Sequence, residues 1–340
     1  VANRVYYAVS AVGVTSNLDA TALTTIHGVQ SCGVTTNFDV NYITELGQID
    51  TYASMENRPD VSVTMEKVLD GWPLIYHLAT ADSTTVTLGS RTANPCKLGL
   101  AVFDDELVTS ASGTPTATLI VSSAYIDSVD YNLVIDGDFT ESVTFMANDR
   151  RWSTDDWFAY DFDNSDTPQN AYDGILRRQN VLMGESSVWP GDIFGLDANG
   201  YNQLQSGSDK YSVHFQSVTI SCSLGRGDIY ELGRKSAYYR PANYPVEVTC
   251  SIEAVMESGD MKDVFADERN LENQEINLVI ADDSGNNRVR LDLGTKNKLT
   301  SIDWTGGDSG GGERTTTFNY SNYNKLDIRS DSDPAGLGLG

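Results

Sequence analysis

"DIYELGRKSAYYRPANYP" spans residues 228–245, and a relative of it, "YITELGQIDTYASMENRP", spans 42–59. At a constant offset of 186, Ile43/Ile229, Glu45/Glu231, Leu46/Leu232, Gly47/Gly233, Tyr52/Tyr238, Asn57/Asn243 and Pro59/Pro245 are identical. Gln30-Ser31 and Gln216-Ser217 fall on the same offset, which makes nine identities without a gap over positions 30–59. A self-match of this kind marks an internal repeat. The fold question therefore becomes which unit occurs twice.

A second block closes each copy. "YIDSVDYNLVIDGDFTESVTF" (125–145) aligns with "KLTSIDWTGGDSGGGERTTTF" (298–318) through Ser128/Ser301, Asp130/Asp303, Gly137/Gly310, Thr144/Thr317 and Phe145/Phe318. Here the offset is 173, so an extra loop is expected in copy one around 103–116.

The hydrophobic period is mostly two. "RVYYAVSAVGV" (4–14), "VSVTMEKV" (61–68), "STTVTLGS" (83–90), "TPTATLIVSS" (114–123) and "SVTFMAND" (142–149) read as strands in copy one. "YSVHFQSVTISCSL" (211–224), "YPVEVTCSIEAV" (244–255), "QEINLVIADD" (274–283), "NRVRLDLG" (287–294) and "RTTTFNYS" (314–321) do so in copy two, with "ADDSGNNR" as a hairpin turn. One short helix is expected per copy, within 70–80 and within 258–270. The sum is an all-β fold built from two tandem β-sandwiches, 1–150 and 206–330. They are joined by an aromatic, acidic connecting segment and insertion, 151–205, and followed by a flexible Gly-rich end, 331–340.

The 340 residues carry 48 acidic and 23 basic side chains, a net charge of −25 spread along the whole length. Such a chain is a poor ligand for nucleic acid, which is held by Lys and Arg, but it can form a wall to which nucleic acid does not stick. The four cysteines show no zinc spacing and read as free thiols. No apolar run reaches the length of a membrane span, and no signal peptide is evident, so no membrane insertion is expected.

Catalytic motifs are missing: no G-x-S-x-G, H-E-x-x-H or P-loop occurs. His27 and His214 occupy similar places in the two copies and read as structural. "DFDNSD" (161–166) resembles part of a calcium loop but lacks its Gly and Glu. Arg226-Gly227-Asp228 is a chance tripeptide. No cofactor is expected.

The informative loops are 38–60 and 224–245. Loops of about twenty residues inside a domain are usually functional, and Tyr, Arg and an exposed Leu suit an interface. The copy-two loop carries Arg226, Arg234, Lys235 and Arg240, while its counterpart carries Asp39, Glu45, Asp50 and Glu56. In stacked rings these would form a complementary pair. The interface candidates are thus Glu45, Leu46, Gly47, Asp50, Tyr52 and Glu56 in copy one. In copy two they are Arg226, Glu231, Leu232, Gly233, Arg234, Lys235, Tyr238, Tyr239 and Arg240.

The segment "VHFQSVTISCSLGRGDIYELGRKSAYYRPANYPVEVTCSIEAV" (213–255) resembles the tail tube (major tail) proteins of tailed bacteriophages. The likeness lies in a strand with Gln-Ser, a Leu-Gly-Arg loop, Glu-Leu-Gly-Arg, Tyr-Tyr-Arg and a Pro-Val-Glu-Val-Thr strand. It implies a β-sandwich with a flanking helix, a structural role without catalysis, and rings stacked into a hollow tube that conducts DNA out of the virion. Two fused copies imply a trimeric, pseudo-hexameric ring whose inner strands close into a β-barrel. Implied partners are the chain itself, the tail terminator, baseplate or tip proteins, the tape measure protein and a sheath. Assembly would take place in the host cytoplasm. Carboxylates lining the bore would repel phosphates, and Asp127, Asp130, Asp136, Asp138, Asp303 and Asp308 are candidates. Two other readings stand beside it. One is a glycan-binding module using Trp152, Trp157 and Trp189; the other is a glycosidase using paired acids.

Overall fold

Strict alternation drives most of the strands. In "TESVTFMA" (140–147), Glu141, Val143, Phe145 and Ala147 point into the core, and Thr140, Ser142, Thr144 and Met146 point out, as a pleated strand requires. The structure is a computed structural model. It describes residues 10–20, 23–56, 59–103, 115–154, 174–182, 187–190, 213–234, 236–256, 272–305 and 314–339. In chain order its first half holds β1 (Ser10–Thr15), β2 (Thr24–Thr25), β3 (Val29–Asn37), β4 (Val40–Thr44), β5 (Thr51–Glu56) and β6 (Asp60–Val68). These are followed by α1 (Ile75–Ala79), α2 (Leu88–Arg91), β7 (Cys96–Val102), β8 (Ala117–Val134), β9 (Thr140–Ala147) and β10 (Asp149–Ser153). Next come a 3-10 turn (Arg178–Asn180), β11 (Val213–Ser223), β12 (Glu247–Met256), β13 (Gln274–Ala281), β14 (Asn287–Thr305), β15 (Thr315–Tyr323) and β16 (Asp327–Ser330). The protein is mainly β, and its ladders are antiparallel.

The central feature is one antiparallel sheet of eight strands in the order β3-β6-β9-β8-β11-β12-β15-β14. It runs the same four-strand pattern twice. β3·β6 skips Gln30 between Val29 and Ser31, and β11·β12 skips Gln216 between Phe215 and Ser217. β8·β9 skips Asp127, and β14·β15 skips Thr300. Bulges are specific features of a sheet, so their recurrence fixes the correspondence. Glu66 lies opposite Ser31, and Glu253 opposite Ser217. This lays "DVSVTMEKV" (60–68) on "EVTCSIEAV" (247–255), one residue off the offset of the loops before them.

The pairing also corrects the sequence alignment of the last strands. Ser142 lies opposite Glu66 and Thr317 opposite Glu253. Val143 therefore corresponds to Phe318 and Phe145 to Tyr320, two residues away from the Thr144/Thr317 and Phe145/Phe318 match. A slip of two keeps every side chain on its face, which is why the pattern alone could not detect it.

β8 and β14 each belong to two sheets. The first part of β8 pairs with β7 and β10 and the second with β9 and β11. β14 pairs first with β13 and β16, then with β15. Ser123 (φ 54) and Gly294 (φ 71) adopt left-handed backbone at these crossovers, where an extended strand must turn a corner. The core faces of both sheets form one buried cluster that includes Met65, Phe145, Phe318, Leu278 and Leu291. Truncating Phe145 or Phe318 to Ala would cost about 3–5 kcal/mol.

The helix expected within 70–80 is α1. No local side chain caps it. Instead Glu141 of β9, fully buried, accepts the N–H groups of Ile75 (2.7 Å) and Tyr76 (3.2 Å). The strand expected at 83–90 is not formed: Leu88 and Arg91 sit three apart on one face of α2 and are both buried, so tertiary burial overrides the β-branched local pattern. The helix expected at 258–270 and the extra loop around 103–116 lie largely outside the described residues. The end, 331–340, was expected to be flexible; Asp333 within it is buried.

Candidate assembly surfaces

Among the described residues, the eight-stranded sheet has two open edges, β3 and the second half of β14. At its middle, β8 of the first half pairs with β11 of the second. There Asp130 lies opposite Ser221, whose hydroxyl donates to the Asp130 carboxylate. The row of residues through Asp130 runs Ser31–Glu66–Ser142–Asp130–Ser221. The counterpart of Ser31 in β11 is Ser217, so four strands shift the row by four residues, one per strand. Neither open edge carries Pro, and β14 has only Lys298 as a basic residue there. Edges that must stay unpaired are normally blocked by such residues or by bulges; each of these edge strands carries a single bulge, at Gln30 and at Thr300.

The face of this sheet that points away from the core is almost wholly polar. β3 presents Ser31, Thr35 and Asn37, and β11 presents Thr219, Ser221 and Ser223. The acids on this face come as matched pairs: Asp60 with Glu247, Glu66 with Glu253, and Asp130 with Asp303. Of the acids proposed from sequence, Asp130 and Asp303 lie on this face. Asp127 sits at the bulge and accepts the Arg226 N–H (3.2 Å). Asp136 lies in the turn after β8, and Asp138 there binds Arg177 (2.8 Å). Asp308 lies outside the described residues. Asp60, Glu66, Glu247 and Glu253 were missed, although strand parity alone would have found them.

The two long loops share a tip and differ in body. In both, Gly takes a left-handed conformation (Gly47 φ 97, Gly233 φ 91). Gln48 N–H donates to Glu45 O (3.3 Å) and Arg234 N–H to Glu231 O (3.4 Å). The tight turn leaves Leu46 and Leu232 fully exposed, at 103% and 104%. Below the tip, copy one forms a hairpin of β4 and β5, exposing Phe38, Tyr42, Ile49, Tyr52 and Met55. Asp50 and Glu56 are exposed on it.

Copy two has no such hairpin. Its backbone is tied by Ile229–Tyr239 bonds (3.0 and 2.7 Å between Ile229 and Tyr239 or Tyr238). Arg226 donates to the carbonyls of Ile126 (2.8 Å), Thr92 (2.5 Å) and Arg240 (2.8 Å) and lies over the Tyr125 ring. Arg240 is buried and binds Asp60 (2.9 Å), Asp228 (3.0 Å) and Asn148 (3.1 Å). Arg226 and Arg240, proposed as exposed charge for stacking, thus serve inside the chain. Arg234 remains exposed, bound to Glu231 (3.2 Å) and over the Tyr238 ring. Tyr239 meets the edge of Tyr125. Lys235 lies outside the described residues.

The two halves are also tied through the C-terminal tail. Arg91 of α2 makes a two-pronged bond to Asp333 (2.7 and 2.8 Å). His77 of α1 meets Ser330 Oγ (3.1 Å) and Ile328 O (3.2 Å). Burial pushes the His77 imidazole down to about 4, so the ring is neutral. Burial would raise the Asp333 carboxyl, but the Arg91 bonds and the charge of the site hold it below its ordinary value.

At the end of the sheet away from the loops lies an open cavity of about 690 Å³, lined by Leu133, Val134, Phe139, Val181, Trp189 and Phe215, with Arg178 and His214 at its wall. Trp189 is buried and stacked on Phe215 (4.1 Å), which removes it as a surface platform for sugars. Trp152 is exposed on β10, and Trp157 lies outside the described residues. The four cysteines are free. Among the described residues no helix is long and apolar enough to cross a membrane.

No family model matches this chain, and no curated protein does. Among solved structures, the chain is similar to the tube-terminating cap of the anti-feeding prophage. The identity is 13%, the match covers 46% of this chain and 94% of that one, and the TM-score is 0.34.

Proposed function

We propose that the protein is a structural virion subunit that closes, three chains at a time, into pseudo-hexameric rings of a tail tube. One observation carries this reading. The β8·β11 junction joins the end of one four-strand unit to the start of the next, and the open edges β14 and β3 stand in that same relation. Head-to-tail contacts of this kind close into rings. The two units are tube domains, 1–150 and 206–330, in tandem.

The register of the intermolecular junction follows from the internal one. Asp130 corresponds to Asp303, and Ser221 to Thr35, so Asp303 would face Thr35 of the next chain and keep a hydroxyl–carboxylate pair. With one residue of offset per strand, the strands tilt about 35°. Twenty-four such strands enclose a barrel roughly 45 Å across at the backbone. The polar face becomes the bore, carrying Glu66, Asp130, Glu247, Glu253 and Asp303 against an otherwise hydroxyl-rich wall, with Asp60 paired to Arg240 at one end. Repulsion of phosphate over about 8–10 Å then lets DNA pass without binding. A terminator, a tip and a tape measure protein are the partners such a tube needs.

The test is a cysteine pair, Thr35→Cys with Asp303→Cys. Oxidation should give covalent species up to a trimer and none larger on a denaturing gel. Monomers alone, from protein that electron microscopy shows as rings or tubes, would refute the register. Failure of the unmodified protein to form rings would refute the reading itself.

A further inference from the structure

Resting on the ring reading, we infer that each junction between chains is a shared hydrophobic core, and that Trp304 completes it by packing on Val34 of the next chain. The junction inside the chain shows the finished arrangement. On the core side of β8 and β11, Val129 lies opposite Cys222, Tyr131 opposite Ile220 and Leu133 opposite Val218, and all of these side chains are buried.

The open edges carry the same row unfinished. On β14, Ile302 corresponds to Val129 and Trp304 to Tyr131. On β3, Val34 corresponds to Ile220 and Cys32 to Val218. Each faces the core on its own strand: Ile302 lies opposite Phe318, Trp304 opposite Thr316 and Val34 opposite Val63, and these three neighbours are buried. Yet Ile302, Val34 and Cys32 are half-buried, and Trp304 is 47% exposed where Tyr131 is fully buried. Apolar side chains that leave the core row at a strand edge gain by being covered.

The two halves also differ here in a matched way. Tyr131 lies opposite Glu141, and its hydroxyl donates to the Glu141 carboxylate (3.0 Å). Trp304 lies opposite Thr316. Phenol and carboxylate have been exchanged together, for a larger apolar ring above a small side chain. The change removes a buried charge from the seam and adds apolar surface to it, and a large aromatic side chain is the usual anchor of an interface.

The register names the occupant as a second copy of this chain. With Asp303 facing Thr35 on the bore side, the next rung of the same antiparallel ladder sets Trp304 against Val34 on the core side, because successive residues alternate faces. The same contact covers the apolar row of both edges at once, which a head-to-tail ring does at every junction.

The test follows tryptophan emission of the full-length protein as it assembles. Ring formation should move the emission to shorter wavelength, and Trp304→Phe should remove that component of the shift while rings still form. An identical shift in Trp304→Phe overturns the seam and leaves the ring reading intact. Failure of the unmodified protein to form rings overturns the ring reading instead. Trp304→Ser and, on the other edge, Val34→Ser should each raise the concentration at which half the chains sediment as rings by at least about tenfold. Combined, they should cost less than the product of their separate effects, because both remove one contact. A full product, or assembly of either variant at the wild-type concentration, overturns the pairing of Trp304 with Val34.

Discussion

The loops 38–59 and 224–245 descend from one sequence and take different shapes. The second lies against the first half of its own chain because Arg226 and Arg240 reach the Ile126 and Thr92 carbonyls, Asp60 and Asn148. At the corresponding positions the first has Val40 and Ser54, and it stands out as a hairpin with apolar side chains in solvent. The arginines mark a junction made within one chain. In the proposed ring the hairpin lies at the junction made between molecules. Such a contact would form only when the partner arrives, and it would rely on apolar surface instead of buried ion pairs.

The comparison can be broken at the pinned side first. The latch of α1 and α2 onto the tail belongs to that side, and it is pH-dependent. Unfolded His77 takes up its proton near its ordinary value of 6.5, whereas the folded ring stays neutral down to about 4. Between these values the unfolded state binds more protons, so stability is lost as pH falls from about 6.5 to about 4. The loss is about 3 kcal/mol from this group. Asp333, held low by Arg91, adds to the loss at still lower pH. Urea midpoints across this range should show the decline, and His77→Gln should flatten it. An unchanged slope in the variant would assign the effect elsewhere.

Arg240→Ala should cost about 2 kcal/mol, less than a fully buried pair because Asp60 and Asp228 are partly exposed. Ser54→Ala, its counterpart, should stay within about 0.5 kcal/mol in the monomer. Equal effects from the two would erase the distinction between the junctions. The smallest effect sharpens what the loops share: Gly47→Ala and Gly233→Ala should each destabilise by about 1 kcal/mol, since both residues hold positive φ. A difference of more than that between them would mean the tips are not equivalent.

The repeat was legible because the shared turn demands Gly at one place and tolerates few alternatives. The match of β6 with β12 was hidden by a single extra residue, and that of β9 with β15 by a slip that the period of two cannot see. The β4–β5 hairpin left no signal, since its apolar residues serve no core. α2 was read as a strand because Thr-rich sequence outweighed the burial of Leu88 and Arg91. The carboxylates of the polar face were hidden inside apolar strands until the parity of each strand was known. Arg226 and Arg240 read as surface charge because nothing local to them announces Ile126, Thr92 or Asp60 as partners.

One consequence of the single-residue offset between strands concerns a polyanion in transit. Glu66 and Asp130 share a row two strands apart, and that row climbs along the axis of a tilted wall. Asp60 lies six positions from Glu66 along β6. The three kinds of acid thus occupy separate storeys, in a spiral. In the proposed tube a passing polyanion would leave one storey as it nears the next, and it would meet a nearly level electrostatic floor, with no step steep enough to act as a turnstile.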